Sequence, residues 1–356
     1  MRFFDWQKKV ERFSDFGNDV IVIDGFWSSG KSLISPIVCQ YRGVERVRID
    51  VVMEYITCLH AIGKISDDAA TWFLSTHVDT QQYNNVIGRE INLRWADDTG
   101  LHCASDKLGL LLRLFRKDGD GRVGEISGDN LAYAAMTHLT ALAPQGLVDA
   151  LGNRLKFVEM VRSPLHMVVG TEAYIKRFDS PREFSIAYRE EGEKVPWFIS
   201  SNQGFYSELN STEKALLCIS SFYKGLQQTL DLNAIPPACL RIISFEDLVW
   251  KTQHSLDILS EFFGRQLSGG VERVLRQQKI PRSNLDNGKG HSSYGWTASS
   301  GSDEEVVGRH LQHCLSNCRD EILEDYICIL NWYYETFPSR LSEMVSVRLL
   351  QARVGA

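Results

Sequence analysis

Long apolar runs are missing from this 356-residue chain. No stretch supplies the roughly 20 consecutive apolar residues that span a bilayer. Between Met1 and Val10, Phe3, Phe4 and Trp6 alternate with Arg2, Asp5, Lys8 and Lys9, so no signal-peptide core forms there. The expectation is a cytoplasmic protein with no membrane partner. A basic stripe is lacking too: 39 Lys and Arg against 45 Asp and Glu leave a net charge of −6, which argues against nucleic acid as a partner. The cysteines are scattered, and only Cys314 and Cys318 lie one helical turn apart. His310 and His313 are nearby, but no second pair completes a zinc pattern, so reduced thiols are expected. No segment repeats, and no feature specifies an oligomeric state.

The chain does contain one highly specific segment. Val20-Ile21-Val22-Ile23 is a β-branched run of strand type, and it enters Asp24-Gly25-Phe26-Trp27-Ser28-Ser29-Gly30-Lys31-Ser32. Gly25 to Ser32 satisfies G-x-x-x-x-G-K-[ST] at every fixed position, and an apolar stretch of helical length follows. In such a loop glycines let the backbone curl until successive N–H groups converge on phosphate oxygens. The next helix adds its positive end and the lysine adds a mobile charge.

Elsewhere, apolar spacing predicts a helix over residues 3–16, a helix over about 31–39 and a strand within 44–52. Ser66-Asp67-Asp68 suits a helix start, 83–100 reads as irregular, and 107–116 as helix closed by Asp118-Gly119. Arg122–Ser127 reads as a short strand and 130–151 as helical, with Pro144 an interruption or a new start. Strands are expected at 156–162 and 240–245, with helices between them and on to Gly264. A Gly/Ser/Asn-rich loop covers 281–302, and a helical tail follows from 303. Strands alternating with helices predict an α/β fold. Its form is a P-loop, three-layer arrangement with a central parallel sheet and helical insertions. One domain of 1–356 is expected, with a core at 18–265 and an insertion at about 50–120.

Four segments together resemble the sulfotransferases that use 3′-phosphoadenosine 5′-phosphosulfate (PAPS). The first is the loop at 25–32. The second is Val158-Glu159-Met160-Val161-Arg162-Ser163-Pro164, similar to the family's strand-Arg-x-Pro-helix element. The third is Ile242-Ile243-Ser244-Phe245-Glu246-Asp247-Leu248 with Phe262-Phe263-Gly264 downstream. The fourth is Asn287-Gly288-Lys289-Gly290 followed by Gly295-Trp296. The resemblance implies that the loop of Gly25, Ser28, Ser29, Gly30, Lys31 and Ser32 holds the 5′-phosphosulfate end of PAPS, while Trp27 within it is a candidate to stack on the cofactor's base or sugar, with core packing as the alternative. It implies Arg162, Lys289 and Gly290 at the 3′-phosphate. Gly170 stands where the family often has a serine, eight residues after the arginine, and Thr171 beside it is the substitute.

The implied activity moves a sulfuryl group from PAPS to a hydroxyl, or an amine, of a carbohydrate or small-molecule acceptor, releasing PAP. Lys31 is the candidate to stabilise the departing oxygen, and the chemistry requires no metal. Two residues compete as general base. Gly124-Glu125-Ile126-Ser127 resembles the segment in which carbohydrate sulfotransferases carry a catalytic glutamate. Thr137-His138-Leu139 resembles the segment in which small-molecule sulfotransferases carry a catalytic histidine, although 130–142 reads as helix here. Two other classes stay open. The full Gly30-Lys31-Ser32 form also suits an ATP-dependent kinase with Mg²⁺ on Ser32 and an acidic partner, for which Asp50 is best placed. A non-catalytic nucleotide-binding protein is the third.

Overall fold

Five strands with parallel pairing form the centre of the computed structural model. It describes residues 8–95, 100–104, 106–178, 180–181, 183, 185–190, 192–199, 206–286, 288 and 301–346. In chain order the elements begin with β1 (Val20–Asp24), α1 (Lys31–Val38), β2 (Arg48–Ile49), α2 (Val51–Ala61) and α3 (Asp67–Val86). Next come α4 (Lys107–Leu112), α5 (Asp120–Gly128), β3 (Tyr133–Met136), α6 (Gln145–Leu151), β4 (Leu155–Val161) and α7 (Pro164–Ile175). A small antiparallel pair follows, β5 (Ala187–Glu190) and β6 (Glu193–Pro196). The chain continues through α8 (Ser211–Asp231), β7 (Leu240–Ser244), α9 (Phe245–Trp250), α10 (Thr252–Phe263) and α11 (Val271–Gln278). α12 (Asp303–Asn317) and α13 (Asp320–Thr336) form the tail.

The sheet order is β2-β3-β1-β4-β7, with Ile23 beside Met136 and Val158. β1 is fully buried along its whole length, as a central parallel strand covered on both faces must be. The connection leaving β1 runs toward β2, and those from β3 to β4 and from β4 to β7 run the other way. Right-handed crossovers therefore place α1 on one face and α6, α7 and α8 on the other. Chain direction reverses around β1 and β4, so the turns after these two strands open on the crevice where such sheets bind ligands.

Three local expectations are corrected. Residues 8–16 are not helical: the amides of Val10 and Phe16 donate to Asp68 and Asp79 on α3, at 2.8 Å each, and hold the chain along that helix. Residues 122–127 are helical, within α5, because Gly119 at φ 123° turns the chain and Asp120 opens a helix rather than a strand. Residues 133–136 are strand, not helix; Tyr133-Ala134-Ala135-Met136 fills the slot between β1 and β2, and sheet pairing overrides alanine's helical preference. In addition, α3 runs on to Val86, through part of the segment read as irregular. No helix among the described residues is long and apolar enough to cross a membrane.

Candidate functional site

The loop after β1 has the shape its sequence predicts. Gly25 and Gly30 adopt φ values of 145° and 105°, and Ser28 sits at 70°. A Cβ on Gly25 would meet the Met160 carbonyl at 2.5 Å, and one on Gly30 would meet Phe245 Cδ2 at 2.4 Å. Both positions thus require glycine for conformation and for space. α1 starts at Lys31 with no side chain capping its first turn; the Leu33 and Ile34 amides donate to the Gly30 carbonyl, which leaves those of Lys31 and Ser32 to face the loop. Ser29 Oγ is buried with no partner among the described residues, and Ser32 is exposed. A cradle of glycines, uncapped amides and an orphaned hydroxyl fits a phosphate or sulfate group.

Lys31 folds back into this cradle. Its Nζ donates to the carbonyls of Gly25 and, at 2.8 Å, Phe26. Burial lowers its pKa to about 8, partly countered by the nearby carboxyl groups of Asp24, Glu159 and Glu54. Asp24 accepts from Thr137 Oγ1 at 2.8 Å and the Ala141 amide at 2.7 Å. Glu159, its register partner on β4, has no hydrogen-bond partner for either oxygen among the described residues. Burial holds its carboxyl well above the usual range and favours its protonated form, with the charge of Lys31 opposing.

His138 lies two residues beyond β3, at the same edge of the sheet as the loop. The backbone fixes this position, because the Thr137 amide donates to Ile23 O at 3.0 Å. Glu54 of α2 meets His138 twice, accepting its backbone N–H at 3.1 Å and approaching Nδ1 at 3.2 Å. Glu54 is 15% exposed and His138 29%. With an ionised carboxylate as acceptor, the proton belongs on Nδ1 and the lone pair on Nε2. Next to this pair runs a crevice lined by Trp27, Tyr55, Leu139, Trp197 and Phe198 as well as Glu54. Trp27 is stacked on Tyr174 at 4.3 Å between centroids and packs against Phe26 and Phe198. Its ring is therefore held in an aromatic cluster that also forms a crevice wall.

Arg162 emerges from β4 on the other side of the loop. Its Nη1 donates to Ser28 O at 3.2 Å, its Nη2 pairs with Asp286 at 2.8 Å, and its guanidinium lies 4.2 Å from the Phe245 centroid. Glu246 braces the turn that carries it, accepting the Ser163 amide at 2.9 Å and the Tyr333 hydroxyl at 2.8 Å. The Arg162 turn and the loop are thus brought together, with Phe245 touching both. Thr171 is fully buried in α7 and its hydroxyl has no partner among the described residues. Lys289 and Gly290 lie outside the described residues.

Glu125 stands apart from these groups. It is on α5, paired with Arg116 at 3.3 Å and with Arg122. The next residue, Ile126, accepts from Asn18 Nδ2 at 2.9 Å, just before β1 begins. That anchors α5 at the edge of the sheet where the strands start, whereas the loop is at the edge where they end. Asp50, the acidic candidate for a kinase, caps α2 through the Met53 amide and binds His77 and Tyr133. Glu54 was missed by sequence reasoning, since nothing in its segment links it to position 138. Phe245 and Asp286 stood in or beside quoted motifs without a role.

Fold and site together describe an α/β protein in which a glycine-bearing loop, a histidine–carboxylate pair and an arginine lie around one sheet edge. No protein-family model and no curated protein sequence matches the chain. Among solved structures it is similar to the sulfotransferase domain of the Synechococcus PCC 7002 olefin synthase, at 11% identity and a TM-score of 0.47, with 94% of this chain and 99% of that one covered. A sulfotransferase domain from the curacin biosynthetic pathway matches at 13% identity and a TM-score of 0.40, covering 86% and 96%. Mouse sulfotransferase SULT7A1, solved with PAP, matches at 9% identity and a TM-score of 0.40, covering 94% and 90%.

Proposed function

We propose that this protein is a PAPS-dependent sulfotransferase acting on a hydroxyl of a small acceptor. The observation that carries the reading is the meeting of the loop at 25–32 with the His138–Glu54 pair at one edge of the sheet. PAPS supplies the sulfuryl group. The loop amides, Ser29 and Ser32 bind its phosphosulfate end, and Arg162 binds the 3′-phosphate. Lys31 exchanges the carbonyls of Gly25 and Phe26 for the oxygen on which negative charge accumulates. His138 Nε2 takes the acceptor's proton, while Glu54 holds the ring in the tautomer that leaves this nitrogen free.

The crevice walls are aromatic and would suit an acceptor that packs on flat rings, a phenolic or other apolar alcohol or the apolar face of a sugar. With about 10 Å³ of free space, the crevice must open to admit one. Glu125 has no part in this reading, because α5 holds it at the far edge of the sheet. The test is thermal stabilisation of the purified protein by PAP, compared with Mg-ATP. A ligand that binds only the folded state raises its melting temperature. The expected result is a shift with PAP that needs no magnesium and is lost in Arg162→Ala. A shift with Mg-ATP and none with PAP turns the assignment to a kinase that uses the exposed Ser32.

A further inference from the structure

Beside the loop, four cationic or proton-accepting side chains surround a single carboxylate. Arg162 and Arg282 lie 4.2 and 5.6 Å from the centroid of the same Phe245 ring. His166 of α7 and His310 of α12 have their rings 5.6 Å apart. Asp286 is the acid among them, bonded to Arg162 at 2.8 Å, with Arg162 7% and Asp286 17% exposed. Four nitrogens of this cluster are buried without a partner among the described residues: Arg162 Nε, Arg282 Nε, His166 Nε2 and His310 Nδ1. Unpartnered buried nitrogens are costly, and two guanidinium Nε–H donors among them call for an acceptor-rich ligand.

Charge leads to the same place. Two guanidiniums face one carboxylate, so one positive charge remains unmatched. The other groups nearby are already engaged: Asp303 accepts the Leu285 amide and pairs with Arg340, and His313 of α12 meets Glu172 of α7 at 2.7 Å. Arg309 also has a partner. A phosphate monoester dianion would match both guanidiniums and offer oxygens to all four nitrogens.

We propose that Arg162, Arg282, His166 and His310 form one phosphate-monoester seat, that Asp286 occupies it in the ligand-free protein, and that the ligand binds by expelling Asp286. Arg282, the two histidines and the internal occupant go beyond the function proposed above, on which the choice of PAP as probe rests. Both imidazoles are held below the ordinary histidine value, His166 at about 3, chiefly by burial. Replacing one negative charge with two favours the protonated forms of both further. Asp286 competes for the seat, and the apparent affinity is the intrinsic one reduced to the fraction of molecules in which the seat is open.

The experiment is calorimetric titration of the full chain and its Asp286→Asn and Asp286→Ala variants with PAP, ADP and adenosine 3′-monophosphate. PAP is expected to bind both variants about tenfold more tightly than wild type, as release of one internal ion-pair competitor implies. ADP, lacking the 3′-phosphate, is expected to bind all three alike. His166→Asn and His310→Asn are each expected to weaken PAP binding severalfold and to leave ADP binding unchanged. PAP binding that is unchanged or weaker in both variants overturns the internal occupant while leaving the sulfotransferase reading intact. PAP binding that is unchanged in both histidine variants removes the histidines from the seat. If wild type binds no PAP but the variants bind adenosine 3′-monophosphate, the seat stands and the sulfotransferase reading falls. If none of the three proteins binds either 3′-phosphate, both fall.

Discussion

A single carboxylate oxygen, Glu54 Oε2, lies 3.1 Å from the backbone nitrogen of His138 and 3.2 Å from its Nδ1. Main chain and ring are thus oriented by one group, and Nε2 is left as the only nitrogen able to accept a proton. The pair lies beside an aromatic crevice that Trp27 of the loop also lines, which is where the proposed transfer to a hydroxyl needs its base.

His138→Asn is expected to lower turnover with PAPS and a phenolic or sugar alcohol by about 10²–10⁴-fold, the usual contribution of a positioned general base. Glu54→Gln is expected to cost less, because Nε2 survives but its tautomer is no longer enforced. PAP binding is expected to be unchanged in both. Glu125→Gln should leave turnover within about twofold, as for a surface ion pair. Steady-state rates on the three variants check this; a large loss in Glu125→Gln alone would move the base to α5.

Lys31, with its pKa near 8 in the ligand-free protein, loses its charge over a range where exposed lysines keep theirs. PAP binding needs the charged form. Affinity is therefore expected to fall as pH rises beyond about 8, approaching tenfold per unit, until the pKa of the liganded enzyme is reached. Dissociation constants between pH 7 and 9.5 read this directly. Lys31→Met should bind weakly and without that slope; a slope that survives in it would assign the titration elsewhere.

Glu159 holds its proton more tightly in the folded chain than at the ordinary glutamate value of 4.5. The unfolded chain releases that proton as pH rises above 4.5, whereas the folded chain must keep it or bury a charge. Stability contributed by this group is therefore present at low pH and declines as pH rises through that window. Glu159→Gln removes the titration. The variant is expected to melt higher than wild type at pH 8, with the difference shrinking toward pH 4.5. Melting curves at three pH values suffice, and a lower melting temperature at pH 8 would show that an ionised Glu159 is needed to balance Lys31.

Gly30→Ala combines a φ of 105° with a Cβ placed 2.4 Å from Phe245 Cδ2. The strained backbone alone costs about 1–3 kcal/mol, and Phe245 must also shift, disturbing the ring under Arg162 and Arg282. Both a lower melting temperature and the loss of the PAP shift are expected. Retention of full PAP binding would show that Phe245 and the arginines move independently of the loop.

The parts legible in the sequence were those carried by contiguous residues. Val20–Ile23 and Gly25–Ser32 specify a buried strand and a tight glycine turn because their conformations depend on β-branching and on positive φ, which are properties of the residues themselves. Leu155–Val161 and Leu240–Ser244 were readable for the same reason. Segments that take their form from distant neighbours were not. Tyr133–Met136 resembles helix until β1 and β2 offer a strand slot, and residues 8–16 resemble helix until Asp68 and Asp79 capture their amides. The site divides along the same line. The positions of Lys31 and Arg162 follow from local motifs, whereas the partnership of Glu54 with His138 and of Asp286 with Arg162 spans 84 and 124 residues. Such pairs exist only where packing closes the chain on itself, because an ion pair depends on distance in space and leaves no trace in spacing along the chain.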